Sequence, residues 1–294
     1  MTLSQHLPRS ARVSAIGILV LLGFVSVGTS AEVHEYSQEY SRNFQSDGFD
    51  NRSLALIGKG ATSLIQQTEE GVLISVPAGP KVKSVGFAPR FVIQGDFEIT
   101  VGYEIKAWDR PKEGYWIGPT LYISTEGEGD PAAELGRLHT AGDKDVHSTF
   151  ARAFIDGSRQ KSVRKFPAKT MRGQLRMRRQ GDALSFEVRG DWLDEPFKVL
   201  RTTDFNTEDI RLVRVAIKRN DHAAGIRAVL HSLRIRADEL PQLPSEQAAS
   251  EQLYRPMYHP PPRRSSWVWA TAFTTGAVLV MLGGVAWFIR RRRY

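Results

Sequence analysis

The sequence contains no cysteine. That excludes disulfides, thiolate nucleophiles and cysteine-ligated zinc, so any folded part must be held together by its apolar core alone. Histidine is sparse, and the seven residues (6, 34, 139, 147, 222, 231 and 259) include no His-x-x-x-His pair, the spacing a helix-borne zinc site needs. There is no Gly-x-Ser-x-Gly elbow, and GKGATS at 58–63 lacks the third glycine and the lysine–serine ending of phosphate loops. Neither a metal nor a cofactor is expected. Residues 44–237 show no strong helical period, and the two ends of the chain carry no acidic residue at all.

That last absence explains the charge. The formal net charge is +8, which invites a nucleic-acid reading. Yet Arg9, Arg12, Arg263, Arg264 and Arg290 to Arg293 supply all of it, and residues 32–262 are balanced. A basic pI points to nucleic acid only when a folded domain carries it. No nucleic-acid partner is expected.

The ends read as membrane-targeting segments. Residues 1–31 combine a short basic start, the apolar run VSAIGILVLLGFVSVG and the small residues Thr29, Ser30 and Ala31, the layout of a signal peptide cut after Ala31. An uncleaved anchor is the alternative. Trp267–Ile289 holds no charged residue and is long enough to cross a hydrocarbon layer of about 30 Å at about 1.5 Å per residue. Trp267, Trp269 and Trp287 sit near its ends, and the arginines that follow favour the cytoplasmic side. The expected protein is a single-pass cell-membrane protein with an extracytoplasmic domain and a cytoplasmic stub at 290–294.

Between the ends, residues 238–266 carry six prolines and few bulky apolar residues, and read as a stalk. Residues 32–43 read as a lead-in, leaving 44–237 as the folded module. There the period is two. Phe97, Ile99, Val101, Tyr103 and Ile105 alternate with Glu98, Thr100, Gly102 and Glu104, the pattern of a half-buried antiparallel strand. Val72, Ile74 and Val76, then Ile117, Leu121 and Ile123, then Val213, Val215 and Ile217 repeat it. Near the end Ile226, Ala228 and Leu230 fall out of phase with Leu233 and Ile235, which predicts a bulge at His231–Ser232. An all-β, two-sheet antiparallel sandwich is expected.

The segment RGQLRMRRQGDALSFEVRG (172–190) reads as a hairpin turning at Gln180–Asp182, with Leu175, Met177, Leu184, Phe186 and Val188 inward. Arg172, Arg176, Arg178 and Arg179 form a candidate anionic-ligand patch, in competition with a merely solvated strand face.

This hairpin, with GFDNRSLALIGKGA (48–61), EGVLISVPAGP (70–80), GFAPRFVIQGDFEITVGYEI (86–105), RPKEGYWIGPTLYIS (110–124) and IRAVLHSLRIRAD (226–238), resembles the concanavalin A-like lectin/glucanase superfamily. Within it the chain is most similar to the planctomycete domain-of-unknown-function 1583 family. The resemblance implies a jelly roll and leaves the activity open, since such folds host binders, hydrolases and lyases. A retaining glucanase of this fold needs close paired carboxylates. The nearest match, Glu128-Gly-Asp130-Pro-Ala-Ala-Glu134, has the wrong spacing and reads as a loop, so no catalytic residue is assigned.

Two further clusters carry side chains suited to binding. Asp47, Asp50 and Asn51 offer calcium-type oxygens but read more simply as a turn. Trp108, Asp109, Arg110, Tyr115 and Trp116, around the loop WDRPKEGYW, are the candidate ligand-binding residues: aromatic faces cover sugar C–H patches while charged groups bond hydroxyls. Capping of the sandwich edge is the alternative. The expected function is non-catalytic binding of a polysaccharide or an envelope protein in a bacterial envelope. A carbohydrate-active enzyme with an unrecognised site and a structural envelope component are the alternatives.

Overall fold

The computed structural model describes residues 34–243 apart from 80, 126–129, 143, 156–157 and 191–194. The stretches expected to be a signal peptide (1–31), a membrane span (267–289) and a cytoplasmic stub (290–294), with all but the first six residues of 238–266, lie outside the described residues. No helix among the described residues is long and apolar enough to cross a membrane.

The first third of the module contains β1 (Gln38–Asn43), β2 (Leu54–Ile57), the one-turn α1 (Ala61–Leu64), β3 (Ile65–Thr68), β4 (Gly71–Val76) and β5 (Ser84–Pro89). The long middle strands are β6 (Gln94–Trp108), β7 (Trp116–Ser124), β8 (Ala132–Thr140), β9 (Lys144–Ile155) and β10 (Ser158–Pro167). The hairpin β11 (Arg172–Gln180) and β12 (Ala183–Arg189) follows, then β13 (Lys198–Asp204), β14 (Leu212–Arg219) and β15 (Ile226–Glu239).

These strands make two antiparallel sheets. The eight-stranded sheet runs β13-β12-β11-β6-β15-β4-β3, with β1 also on β15. The seven-stranded sheet runs β10-β9-β8-β7-β14-β5-β2. The chain crosses between them at β1–β2–β3, at β4–β5–β6–β7, at β10–β11 and at β13–β14–β15, the interleaving that makes a jelly roll. The facing apolar rows are the ones the period-two pattern marks. Phe97, Ile99, Val101, Tyr103 and Ile105 of one sheet and Val213, Val215 and Ile217 of the other are all buried in one core.

Three local expectations are met and two boundaries are corrected. The hairpin pairs Gln180 with Ala183 through a two-residue turn, and Gly181 takes φ 58, where a side chain would be strained. The pairing of β15 with β6 shifts between Leu230 and Ser232, so the bulge falls at the predicted place. The apolar row Phe97, Ile99, Val101, Tyr103 and Ile105 is also buried as expected, although Glu98 between them is covered too. The lead-in 32–43, however, includes β1, because Tyr40 pairs with Ile235 and tilts onto Phe91, ring centroids 5.2 Å apart. At the other end β15 continues to Glu239 and Leu240 is 3% exposed, its N–H donating to Gln38 Oε1 at 2.6 Å. The folded module therefore extends past residue 237 into the stretch assigned to the stalk. Single apolar residues set in polar sequence (Tyr40, Leu240) gave no periodic signal there.

Candidate functional site

The structure distributes the aromatic loop residues over different tasks. Trp108 ends β6 and its ring stacks on His139, centroids 4.6 Å apart at 15°. The guanidinium of Arg137, fully buried, lies 5.0 Å from the Trp108 ring. Asp109 is a local strut: its carboxylate accepts from the Gly225 N–H at 2.7 Å and its own N–H donates to Gly225 O at 2.8 Å. Trp116 opens β7 in the other sheet, held by its N–H to Asn220 Oδ1 at 2.5 Å. Tyr115 and Arg110 are exposed. Trp108 and Trp116 thus belong to different sheets.

The arginine segment divides as well. In β11 the odd positions face the core and the even ones face out. Arg176 bonds Glu187 through Nε at 2.7 Å and reaches Glu98 at 3.3 Å, while Phe197 covers it with its ring centroid 3.5 Å away. Arg178 pairs with Glu187 at 3.2 Å, and Arg236 adds a 2.7 Å bond to Glu98. Glu98 and Glu187, both buried, are the hub of this outer face. Burial, then the neighbouring Glu98 carboxylate, pushes the Tyr36 hydroxyl up to about 12. Arg172 is exposed at the start of β11. Arg179 overturns the expected outward placement: as an odd-numbered position it faces in, 1% exposed, and donates to the carbonyls of Gly95, Asn206 and Glu208.

Glu187→Gln is expected to destabilise the fold by about 2 kcal/mol, because two guanidinium groups lose their counter-charge while Arg176 still reaches solvent. Chemical denaturation checks this; a change within about 0.5 kcal/mol, the surface-substitution range, would show that the hub is dispensable.

A different face carries the groove. On the outer side of the seven-stranded sheet, strand pairing aligns Gly86, Ala216, Thr120, Gly136 and Ser148 in one row across β5, β14, β7, β8 and β9. These small residues form a floor that crosses the strands. Thr120 and Ala216 are 2% and 1% exposed although no core lies on that side. One flanking row aligns Arg214, Tyr122, Glu134 and Phe150. Lys218 and Leu138 stand on the opposite flank, at alternate positions of β14 and β8. Four strand spacings of about 4.8 Å give the trough a length of about 19 Å. Close packing maintains the small floor: a Cβ on Gly136 would come within 3.1 Å of both Leu138 Cδ2 and Thr120 Cγ2.

One ion pair spans the trough. Lys218 Nζ donates to Glu134 Oε2 at 2.5 Å and lies 5.6 Å from the Tyr122 ring centroid. Arg214 sits over the same ring at 5.8 Å. Glu134 lies inside β8, which corrects its assignment to a loop; Asp130 precedes the strand, and 126–129 lie outside the described residues. Asp130 accepts from Arg152 Nη2 at 2.5 Å and from Ser124 Oγ at 3.0 Å. Each carboxylate is thus committed to its own cation, whereas a retaining glycosidase needs one as acid and the other as nucleophile. The turn acids are similarly engaged: Asp50 holds Arg42 at 3.0 Å and Asp47 accepts from the Asn43 N–H at 2.9 Å. No group of three or more metal-ligating side chains occurs among the described residues.

The family described as "Protein of unknown function (DUF1583) C domain" matches residues 26–258. No curated protein matches the chain. Among solved structures, a prokaryotic beta-1,3-1,4-glucanase (lichenase) from a mouse hindgut metagenome is 10% identical with TM-score 0.47, over 69% of this chain and 100% of that one. The Bacillus licheniformis beta-glucanase is 10% identical with TM-score 0.46, over 70% and 100%. A legume lectin-like domain from Entamoeba histolytica is 13% identical with TM-score 0.45, over 64% and 91%.

Proposed function

The chain belongs to the DUF1583 family, and from that premise we propose that its sandwich binds a glycan chain in the trough of the seven-stranded sheet without cleaving it. The carrying observation is the trough itself: a floor of small residues crossing five strands, with Tyr122 and Phe150 on one flank and the Lys218–Glu134 pair across it. A linear polymer of hydroxylated rings suits that shape. Ring faces lie against Tyr122 and Phe150, while Ser148 and the ion pair offer donors and acceptors to hydroxyls. The engaged carboxylates support a binding role over hydrolysis. The charge-free 267–289 segment and the apolar run near the N-terminus support placing this domain outside the cell membrane, tethered by a single span.

Tyr122→Ala is expected to weaken binding at least about tenfold, the loss of a central aromatic anchor, while Trp116→Ala leaves it within about twofold. Affinity electrophoresis of the full chain through laminarin, xylan and galactomannan gels measures both. Retardation that survives Tyr122→Ala and disappears with Trp116→Ala would move the site to the loop.

A further inference from the structure

A second site, independent of the trough, follows from the opposite side of the same sheet. β9 and β10 form one lateral end of the seven-stranded sheet, and β13 ends the eight-stranded one. Their inward faces meet, because Arg201 of β13 reaches across to donate from Nη2 to Ser162 Oγ of β10 at 2.7 Å. Strand pairing puts Ser162 opposite Ala151, Arg164 opposite Thr149 and Phe166 opposite His147. On the other flank of β9, Arg137 is opposite His147. Polar side chains thus cluster in the inter-sheet space at this rim.

Two features distinguish this rim from a satisfied polar core. Three buried atoms have no hydrogen-bond partner among the described residues: His147 Nδ1, Thr149 Oγ1 and Arg201 Nη1. His147 is 8% exposed and Thr149 is fully buried. Buried polar groups left without partners are costly, and such a set implies a missing partner. The charge is also one-sided. Arg164, Lys198 and Arg201 make no ion pair among the described residues, and Asp145, the acid on this face of β9, is committed to Arg137 and His139 at 3.2 and 2.7 Å. Burial, then Arg164, lowers the affinity of Arg201 for its proton; burial, then Arg137 and Lys198, holds His147 well below its usual range.

We infer that the rim between β9, β10 and β13 binds a tetrahedral oxyanion, a sulfate or phosphate group, through His147, Thr149, Arg201, Arg164 and Lys198. The donor geometry separates this from a carboxylate. Arg201 has already given Nη2 to Ser162 and to Thr203 Oγ1 at 3.2 Å, so the planar two-nitrogen fork that grips a carboxylate is not on offer. Single donors instead arrive from three strands, matching oxygens that point to the corners of a tetrahedron. The site opens at the sandwich edge, since Arg164 and Lys198 are exposed. The anion is either the free ion or a substituent on a polymer, and the test separates them.

Thermal unfolding of the full chain in sodium sulfate, sodium phosphate and sodium chloride at equal ionic strength is the experiment. Sulfate and phosphate should raise the midpoint by roughly 5–10 °C over chloride near hundredfold saturation. Arg201→Met should unfold at a higher temperature than the parent in chloride, where cation crowding is relieved, and lose the oxyanion response. Lys198→Gln, an exposed change that spares the fold, should weaken the response about tenfold. Dextran sulfate effective at far lower sulfate equivalents than the free salt, with unsulfated dextran inert, identifies a polymer substituent; equal or weaker potency identifies the free ion. A parent response no larger than that of chloride, or one unchanged in both Arg201→Met and Lys198→Gln, overturns the site. Tyr122→Ala, which disables the trough, should leave the response intact, so the two sites fail separately.

Discussion

Arg179→Ala is expected to destabilise the protein by about 3–5 kcal/mol, lowering the melting midpoint by roughly 8–15 °C. The size follows from position. The guanidinium is 1% exposed and joins three stretches of chain by donating to the carbonyls of Gly95, Asn206 and Glu208. It also lies 4.9 Å from the Phe97 ring centroid. Removal strands carbonyl oxygens away from water and leaves a cavity beside Phe97. Arg179→Lys should recover only part of the loss, since one ammonium cannot fork between three acceptors. Arg178→Ala, one residue away with a side chain 36% exposed, should cost under about 1 kcal/mol. Equal effects at 178 and 179 in urea denaturation would contradict the inward placement.

The second large effect is acid sensitivity. Burial first, then Arg137 and Lys198, lower the His147 pKa from 6.5 to about 4. The neutral ring is the form that fits the folded state, while the unfolded chain takes up a proton near pH 6.5. Its contribution is therefore fully present above pH 6.5 and is lost as pH falls from there towards 4. At about 1.4 kcal/mol per pH unit the loss totals roughly 3 kcal/mol, levelling off below pH 4 for this residue. Unfolding free energies at pH 7 and pH 4.5 in chloride buffers, for the parent and for His147→Gln, measure it. The variant should lose most of the slope between those two values; an identical slope would assign the acid loss to other groups.

Much of the architecture was legible because the strands are half-buried. Alternation at 97–105, 175–188 and 213–217 fixed which face is inward, and a phase slip was enough to place the bulge at 231–232. Legibility ended where a residue's environment depends on something other than alternation. Arg178 and Arg179 are consecutive, so one of them has to face the core; the partners that make this tolerable, the carbonyls of 95, 206 and 208, are far away in sequence. Tyr40 and Leu240 are isolated apolar residues that anchor the two ends of the module to each other.

The trough was invisible for a related reason. Its floor takes single small residues from five strands, and only their register makes Gly86, Ala216, Thr120, Gly136 and Ser148 neighbours. A sequence signal does exist: small residues recur at outward positions of strands whose inward positions are large. It becomes a groove only once the strand order is known. The aromatic loop, by contrast, was conspicuous in sequence because Trp108, Tyr115 and Trp116 are close along the chain, yet the fold sends the two tryptophans to separate sheets.

The most direct test is to measure reducing ends in solutions where binding has been demonstrated. The full chain is incubated with whichever of laminarin, xylan or galactomannan retards it, at protein concentrations spanning the binding isotherm. Saturable binding with no rise in reducing ends is the predicted result. Reducing ends that increase in proportion to protein, and vanish in Glu134→Gln, would contradict it and make the trough a catalytic cleft.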